Sequence, residues 1–448
     1  MKAASETSIQ AVANEESTAI AGEPWKYLGW IFVMALAIRL MASFLLVASY
    51  AERWAHDGED HWTFAYETGR VARSIATGHG FSDPLKVPSG PTAWLAPVYP
   101  LVLAAVFKVF GIYSLTSTVA IRVFNSFVSA LICVPVFFIT RKDFGERTGI
   151  WAACAWALFP HGVWAASAIV WDSSLTALIL ACLVWSTMEL QEVRPIAAWG
   201  GYGVMWGVGA LTNPTILAAL PFLLAWLWFR RGAHREQWIL EAGVTAVVCL
   251  AVMSPWLMRN YRVFHQPFLI KSNLWLEFVV GNSVHQTSFW NADAHPDDSP
   301  SELREFVERG EAGYMAEKKK EAIDFIGGHL SLYFWLCVRR FVYTWTGFWS
   351  LSREFLASKA DGGLRHIALI TAYTVPTAMG LRRTFRLGKN AFVPLASILV
   401  CVPLVTYLTH PWAYYRFIID PEIVILATIG ILPGVSFLCA KLGIPIGV

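Results

Sequence analysis

The sequence predicts an all-α, polytopic membrane protein of about ten transmembrane helices joined by helical extracytoplasmic loops. Three observations predict it. Of 448 residues, 56% are hydrophobic and only 15% are charged, too few charges to cover a soluble domain of this size. The mean hydropathy is +0.48. Arg and Lys fall in short clusters between apolar runs, the distribution that orients membrane helices. The net charge of +3 gives no argument for a nucleic-acid partner.

Residues 1–24 are polar and rich in Ala, Ser and Glu, without the basic start of a cleavable signal peptide, and read as a disordered cytoplasmic tail. A single membrane domain is expected over 25–440, followed by a second cytoplasmic tail at 441–448. Apolar runs at 28–49, 116–140, 147–164, 172–188, 196–212, 214–230, 238–256, 366–381, 391–409 and 417–438 are the candidate spans. Segment 98–111 is apolar but only fourteen residues long and contains Lys108, which suits an interfacial or re-entrant helix. With 98–111 not crossing, the clusters Arg141/Lys142/Arg147, Arg230/Arg231/Arg235 and Arg382/Arg383/Arg386/Lys389 all fall on the cytoplasmic side.

Two outer loops follow from that scheme, at 50–115 and 257–365. The second carries an amphipathic helix signal at 301–326 and an aromatic segment at 330–350, whose Arg339 and Arg340 are expected to snorkel at the interface. A short polar segment at 409–416 caps the last hairpin. The seven Cys all sit in apolar stretches without metal-ligand spacing, so they read as small apolar fillers.

Acids crowd the first outer loop at Asp57, Glu59, Asp60 and Glu67. A helix from about Thr63 to Thr77 would set Glu67 among Phe64 and Tyr66, where apolar surroundings raise a carboxylate toward a general base's working range. The plainer reading is a solvated acidic loop. Asp172, at the outer mouth of a span and followed by Ser-Ser, is a helix N-cap, a functional acid, or both. Arg259, Arg262 and Lys271 begin the second outer loop, and Arg416 begins the last span. Each is an interface anchor or a ligand for a lipid phosphate. Glu241 is the nearest to an intramembrane acid. The eleven His are scattered, His295 and His410 each preceding a Pro, and no phosphate-cradling loop of an ATPase is present.

A first span, an acidic outer loop running into "ARSIATGHGF", then "YPLVLAAVFKVFG", a span ending "TRKDFGERTG", "ALFPHGVWAASAIVWDSSLTALIL", "GALTNPTILAALPFLL", "SPWLMRNYRVF" and late "YYRF" form an ordered set within roughly 28–440. It resembles the GT-C glycosyltransferases, in particular bacterial members similar to protein O-mannosyltransferases and to the lipid A aminoarabinose transferase. The resemblance implies a polyprenyl-phosphate-linked sugar donor, chemistry on the outer face, and a first-loop acid acting as base toward the acceptor. It also matches Asp172 to a second acid of that family. Many members carry an adjacent Asp-Glu pair before the loop helix, where this chain reads Thr63-Phe64-Ala65-Tyr66-Glu67. Either Glu67 or the upstream Asp60 therefore takes the role.

On this reading a hydroxyl or amine acceptor attacks the anomeric carbon in one inverting displacement. Arg259, Lys271 or Arg416 stabilises the departing phosphate. The acceptor is a protein, a lipid or a glycan. Several acids meeting a phosphate would accommodate a divalent metal, although the sequence demands none. The alternatives are a transporter or flippase of lipid-linked glycans, which should place ionisable residues near the bilayer midplane, and a non-catalytic assembly subunit.

Overall fold

The computed structural model describes residues 24–54, 64–192, 194–231, 235–283, 291–347, 363–411 and 413–442. Residues 1–23 and 443–448, most of the two expected tails, lie outside the described residues, as do Asp57, Glu59 and Asp60.

The regular elements of the described residues are all helices, with one isolated bridge between Ser82 and Pro91. Helix α1 (Pro24–Trp54) opens it. The first outer loop contributes α2 (Glu67–Ala76) and α3 (Val98–Phe110). Then come α4 (Leu115–Leu131), α5 (Cys133–Phe144), α6 (Glu146–Leu158), α7 (Pro160–Ala168) and α8 (Ser173–Leu190). Helix α9 (Ile196–Thr212) runs through a 3-10 turn into α10 (Leu220–Arg230), and α11 (Arg235–Phe264) closes that half. The second outer loop supplies α12 (Leu274–Gly281), α13 (Pro300–Gly328) and α14 (Leu330–Thr346). The chain ends with α15 (Gly363–Arg386), α16 (Phe392–Cys401), α17 (Leu404–Leu408), a 3-10 helix over Ala413–Ile419, and α18 (Asp420–Lys441).

Among the described residues, five helical segments are long and apolar enough to cross a bilayer by length and composition: Trp25–Val47, Leu115–Phe144, Ser173–Leu190, Glu236–Phe264 and Tyr415–Cys439. Val98–Phe110, Pro214–Arg230 and Phe392–Leu408 are apolar but shorter. The chain is a multi-pass membrane protein. Several expected spans are broken at Pro. The run 147–164 divides around Phe159, where Pro160 starts a new helix, and 391–409 divides around Pro403. A Pro ring lacks the N–H that would continue a helix, yet is well tolerated at the first turn of the next one.

The basic clusters gather at one end of the bundle. Asp143 accepts from the backbone N–H of Ala391 at 2.6 Å, Arg230 donates to Asn390, and Lys142 pairs with Glu189 at 3.0 Å. These contacts bring the ends of α5, α8 and α10 beside the turn that precedes α16. Helix α8 therefore begins, at Asp172, on the opposite side from that cluster.

A large apolar core fills the bundle, including Phe137, Trp156, Trp199 and Trp206. A separate small core joins the two outer loops, with Leu85 and Trp94 of the first packed on Leu276, Val280, Phe306 and Tyr314 of the second. The two loop regions expected outside therefore pack as one layer. Two expectations are corrected by it. Arg340 does not snorkel: it is fully buried and donates to Gly281 O at 2.5 Å, Asn282 Oδ1 at 2.9 Å and Leu408 O at 3.1 Å. Three carbonyl-type acceptors outweigh the exit to water. Glu241, expected to be the nearest to an intramembrane acid, pairs with Arg231 at 2.6 Å, whereas Asp420 (1% exposed) and Glu422 (0%) are more fully buried and lie within the apolar segment Tyr415–Cys439.

Candidate active site

Glu67 is the first residue of α2. The expected helix from Thr63 is shorter because Ala65 (φ 63°) and Tyr66 (φ 47°) both occupy the left-handed region, which no helix continues through. The turn folds back on its own helix, and a Cβ at position 69 would meet Phe64 O at 2.4 Å, so only Gly fits there. Phe64 anchors the turn between Phe107 and Tyr113, at ring distances of 5.4 and 4.9 Å. Tyr66, expected beside Glu67 as an apolar cover, is instead exposed.

Glu67 faces the second outer loop. His295 Nε2 lies 3.8 Å from Glu67 Oε1. One turn along α2, Arg70 donates to Asp297 Oδ2 at 2.6 Å and to Pro84 O at 2.9 Å. Lys86 donates to Asp297 O at 2.5 Å. Burial, reinforced by the Asp297 charge, pushes the Glu67 carboxyl up to about 7.

Glu277, on α12, is a further acid of this site. It receives Asn273 Nδ2 on Oε1 at 2.7 Å and lies 2.7 Å from His410 Nε2 through Oε2. Burial opposes its ionisation, but the His410 hydrogen bond and charge, with Lys271, hold it below the usual carboxylate range. The backbone allows this meeting because Gly281 lacks a Cβ, which would otherwise lie 2.1 Å from Thr409 O.

Asp172 is buried at the head of α8. Its side chain makes no capping bond to the helix backbone, which corrects the N-cap reading. Oδ2 instead accepts from Asn213 Nδ2 at 3.0 Å and Thr176 Oγ1 at 3.2 Å. Burial raises its carboxyl, and Lys271 counteracts the rise. Lys271 is half-buried and acts electrostatically on both Asp172 and Glu277. Its neighbour Ser272 is fixed by donating its N–H to Ala93 O at 2.8 Å and its hydroxyl to Glu311 Oε1 at 2.7 Å. Glu311 also accepts from Thr92 Oγ1 at 2.5 Å and Ala93 N at 2.7 Å, which ties the two outer loops together.

The other expected cations are placed differently. Arg259 spends its guanidinium on Thr92 O (2.5 Å) and Phe81 O (2.8 Å), against the rings of Trp256 and Phe81. It builds the base of the first loop. Arg416 is buried beside Asp420, 3.5 Å away, and over the Trp345 ring. Asp420 in turn lies 2.8 Å from His161. The preceding residue, Tyr415, is the one within electrostatic reach of Glu67, Asp172 and Glu277, and its ring lies 5.5 Å from that of His410.

The structure thus brings Glu67, Asp172 and Lys271 into one site with Glu277, His295, His410 and Tyr415. Sequence reading missed the last four. Glu277 carried the same signal as Glu67, a lone acid in an apolar run, LWLEFVVG. His295 and His410 carried a weaker one, a fixed backbone before Pro. Among the described residues no three His, Cys, Asp or Glu side chains converge as metal ligands.

Comparisons with known proteins agree with this architecture. Residues 91–258 match the dolichyl-phosphate-mannose-protein mannosyltransferase family. Over 212 residues the chain is 28% identical to dolichyl-phosphooligosaccharide-protein glycotransferase 3 of Archaeoglobus fulgidus, covering 40% of this chain and 24% of that protein. It is 25% identical over 182 residues to undecaprenyl phosphate-alpha-4-amino-4-deoxy-L-arabinose arabinosyl transferase 2 of Pseudomonas fluorescens, covering 38% and 30% respectively. Among solved structures, the archaeal oligosaccharyltransferase AglB of Archaeoglobus fulgidus, in complex with an inhibitory peptide and a dolichol-phosphate, superposes with a TM-score of 0.55 at 15% identity, covering 94% of this chain and 51% of that one. The chain therefore spans at most about half the length of these relatives.

Proposed function

We propose that this chain, which carries the GT-C glycosyltransferase fold its sequence resembles, is an integral membrane glycosyltransferase. It moves a sugar from a polyprenyl-phosphate-linked donor to an acceptor on the extracytoplasmic face. The observation that carries the reading is one enclosed site, at the end of the bundle opposite the basic clusters, that gathers Glu67, Glu277 and Asp172, with Lys271 in electrostatic reach of the last two. A base near neutrality and a fixed cation are what a single displacement at an anomeric carbon requires. The acceptor's O–H or N–H proton passes to Glu67 as its heteroatom bonds to the anomeric carbon. The carbon–oxygen bond to the phosphate breaks with inversion, and the polyprenyl phosphate leaves beside Lys271. Arg259 and Arg416 support the loops around it. Asp60, outside the described residues, is the second candidate for the base. The donor is a hexosyl or pentosyl lipid, the acceptor a protein, lipid or glycan, and the location a bacterial inner membrane. Incubating the purified chain with a panel of polyprenyl-phosphate sugars and acceptors tests the reading, and no transfer from any donor counts against it.

The sidedness belongs to the same proposal. By the positive-inside tendency the basic end faces the cytoplasm, and 50–115 with 257–365 lie outside. A single Cys at position 144 in a Cys-free background should label only from the cytoplasmic side. Labelling from outside would invert the scheme.

Asp172 is expected to support the site through its charge. Asp172→Asn keeps size and hydrogen-bonding capacity while removing the charge that faces Lys271. Transfer should fall at least tenfold with expression unchanged, on the order of one kcal/mol or more in the barrier. Full activity in this variant would leave Asp172 with a packing role alone.

A further inference from the structure

The geometry points to His295 as the positioning residue for Glu67: its Nε2–H is directed at Glu67 Oε1 from just beyond hydrogen-bond range and biases the carboxylate so that the other oxygen serves the acceptor. This rests on the proposed role of Glu67. The backbone N–H of Asp297 donates to His295 Nδ1 at 3.2 Å. A nitrogen that accepts a hydrogen bond carries no proton, so the neutral ring bears its proton on Nε2. That nitrogen is the one aimed at Glu67 Oε1, 3.8 Å away. At this distance the N–H acts on the carboxylate through its dipole, an effect present without substrate.

Three contacts fix the ring's place. Asp297, whose N–H sets the tautomer, is itself held by Arg70 at 2.6 Å and through its carbonyl by Lys86 at 2.5 Å. Arg70 sits on the same helix as Glu67, so one ion pair sets the spacing of acid and imidazole. Trp94 packs edge-on against the imidazole at 5.6 Å. The charged and titratable groups that act on His295 are Glu67 of α2, Glu277 of α12, Asp297 and Asp298 of its own loop, and His410. Burial of the ring favours its neutral form over the pull of Asp297, Glu277 and Asp298. The neutral ring is the state in which the tautomer argument applies.

A neutral donor stabilises the Glu67 carboxylate, so its removal should raise the pH at which Glu67 loses its proton. The titration of Glu67 can be read without any substrate. Infrared spectra of the full chain in lipid nanodiscs, recorded against pH, contain a carboxyl band that disappears in Glu67→Gln. His295→Phe keeps a ring against Trp94 but has no donor, and should move that band's midpoint upward by a few tenths of a pH unit. His295→Gln restores an N–H donor without a titrating ring, and should recover most of the shift. A midpoint in His295→Phe equal to the wild-type value, or equal midpoints in the two variants, would overturn the assignment. Sugar transfer is measured separately. Absence of transfer by the wild-type chain refutes the functional reading and leaves the infrared result standing by itself.

Discussion

Glu67→Gln is expected to lower sugar transfer about a hundred- to ten-thousand-fold while binding of a polyprenyl phosphate stays near the wild-type level. Gln is nearly isosteric with Glu and cannot accept a proton. Transfer and binding must be measured together, because a disordered loop would lower both. A pH signature accompanies the loss. The base works when deprotonated, and burial with Asp297 raises this carboxyl to about 7. In the wild-type chain kcat/KM should therefore rise with pH up to about 7 and level off above it, falling about tenfold per unit on the acid side. In Glu67→Gln that limb should vanish. If Asp60→Asn is the inactive variant and Glu67→Gln the active one, the base lies upstream of the described helix.

The second large effect is expected at Lys271. Lys271→Met keeps the apolar stem and removes the charge that faces Asp172 and Glu277. If this ammonium stabilises the leaving phosphate, kcat should fall on the order of a hundred- to a thousand-fold at saturating donor, as when one preorganised donor is removed from a transition-state charge. A normal kcat would move the phosphate away from Lys271 and toward Arg416, whose guanidinium is buried beside Asp420. Arg416→Met would then be the inactive variant.

What the sequence determined by itself is local. Apolar runs of bilayer length, basic clusters between them and Pro-broken segments are properties of neighbouring residues, and they were enough for a polytopic helical chain. Glu67 stood out because its neighbours are apolar or small, and Asp172 because it opens a span. The tertiary structure decided which polar groups meet. Arg70 and Asp297 are 227 residues apart, and Glu277 and His410 are 133 apart. No periodicity or spacing connects such positions. It also decided which charges are already engaged. Arg259 and Lys271 look alike as basic residues after a span, yet Arg259 donates to two loop carbonyls and Lys271 acts electrostatically on two carboxylates. Asp172 looks like a helix cap, yet its carboxylate turns to Asn213 of another segment. Helix formation depends on the residues within a few turns of each position. The state of a buried charge depends on whichever groups the packed helices bring within a few ångströms of it.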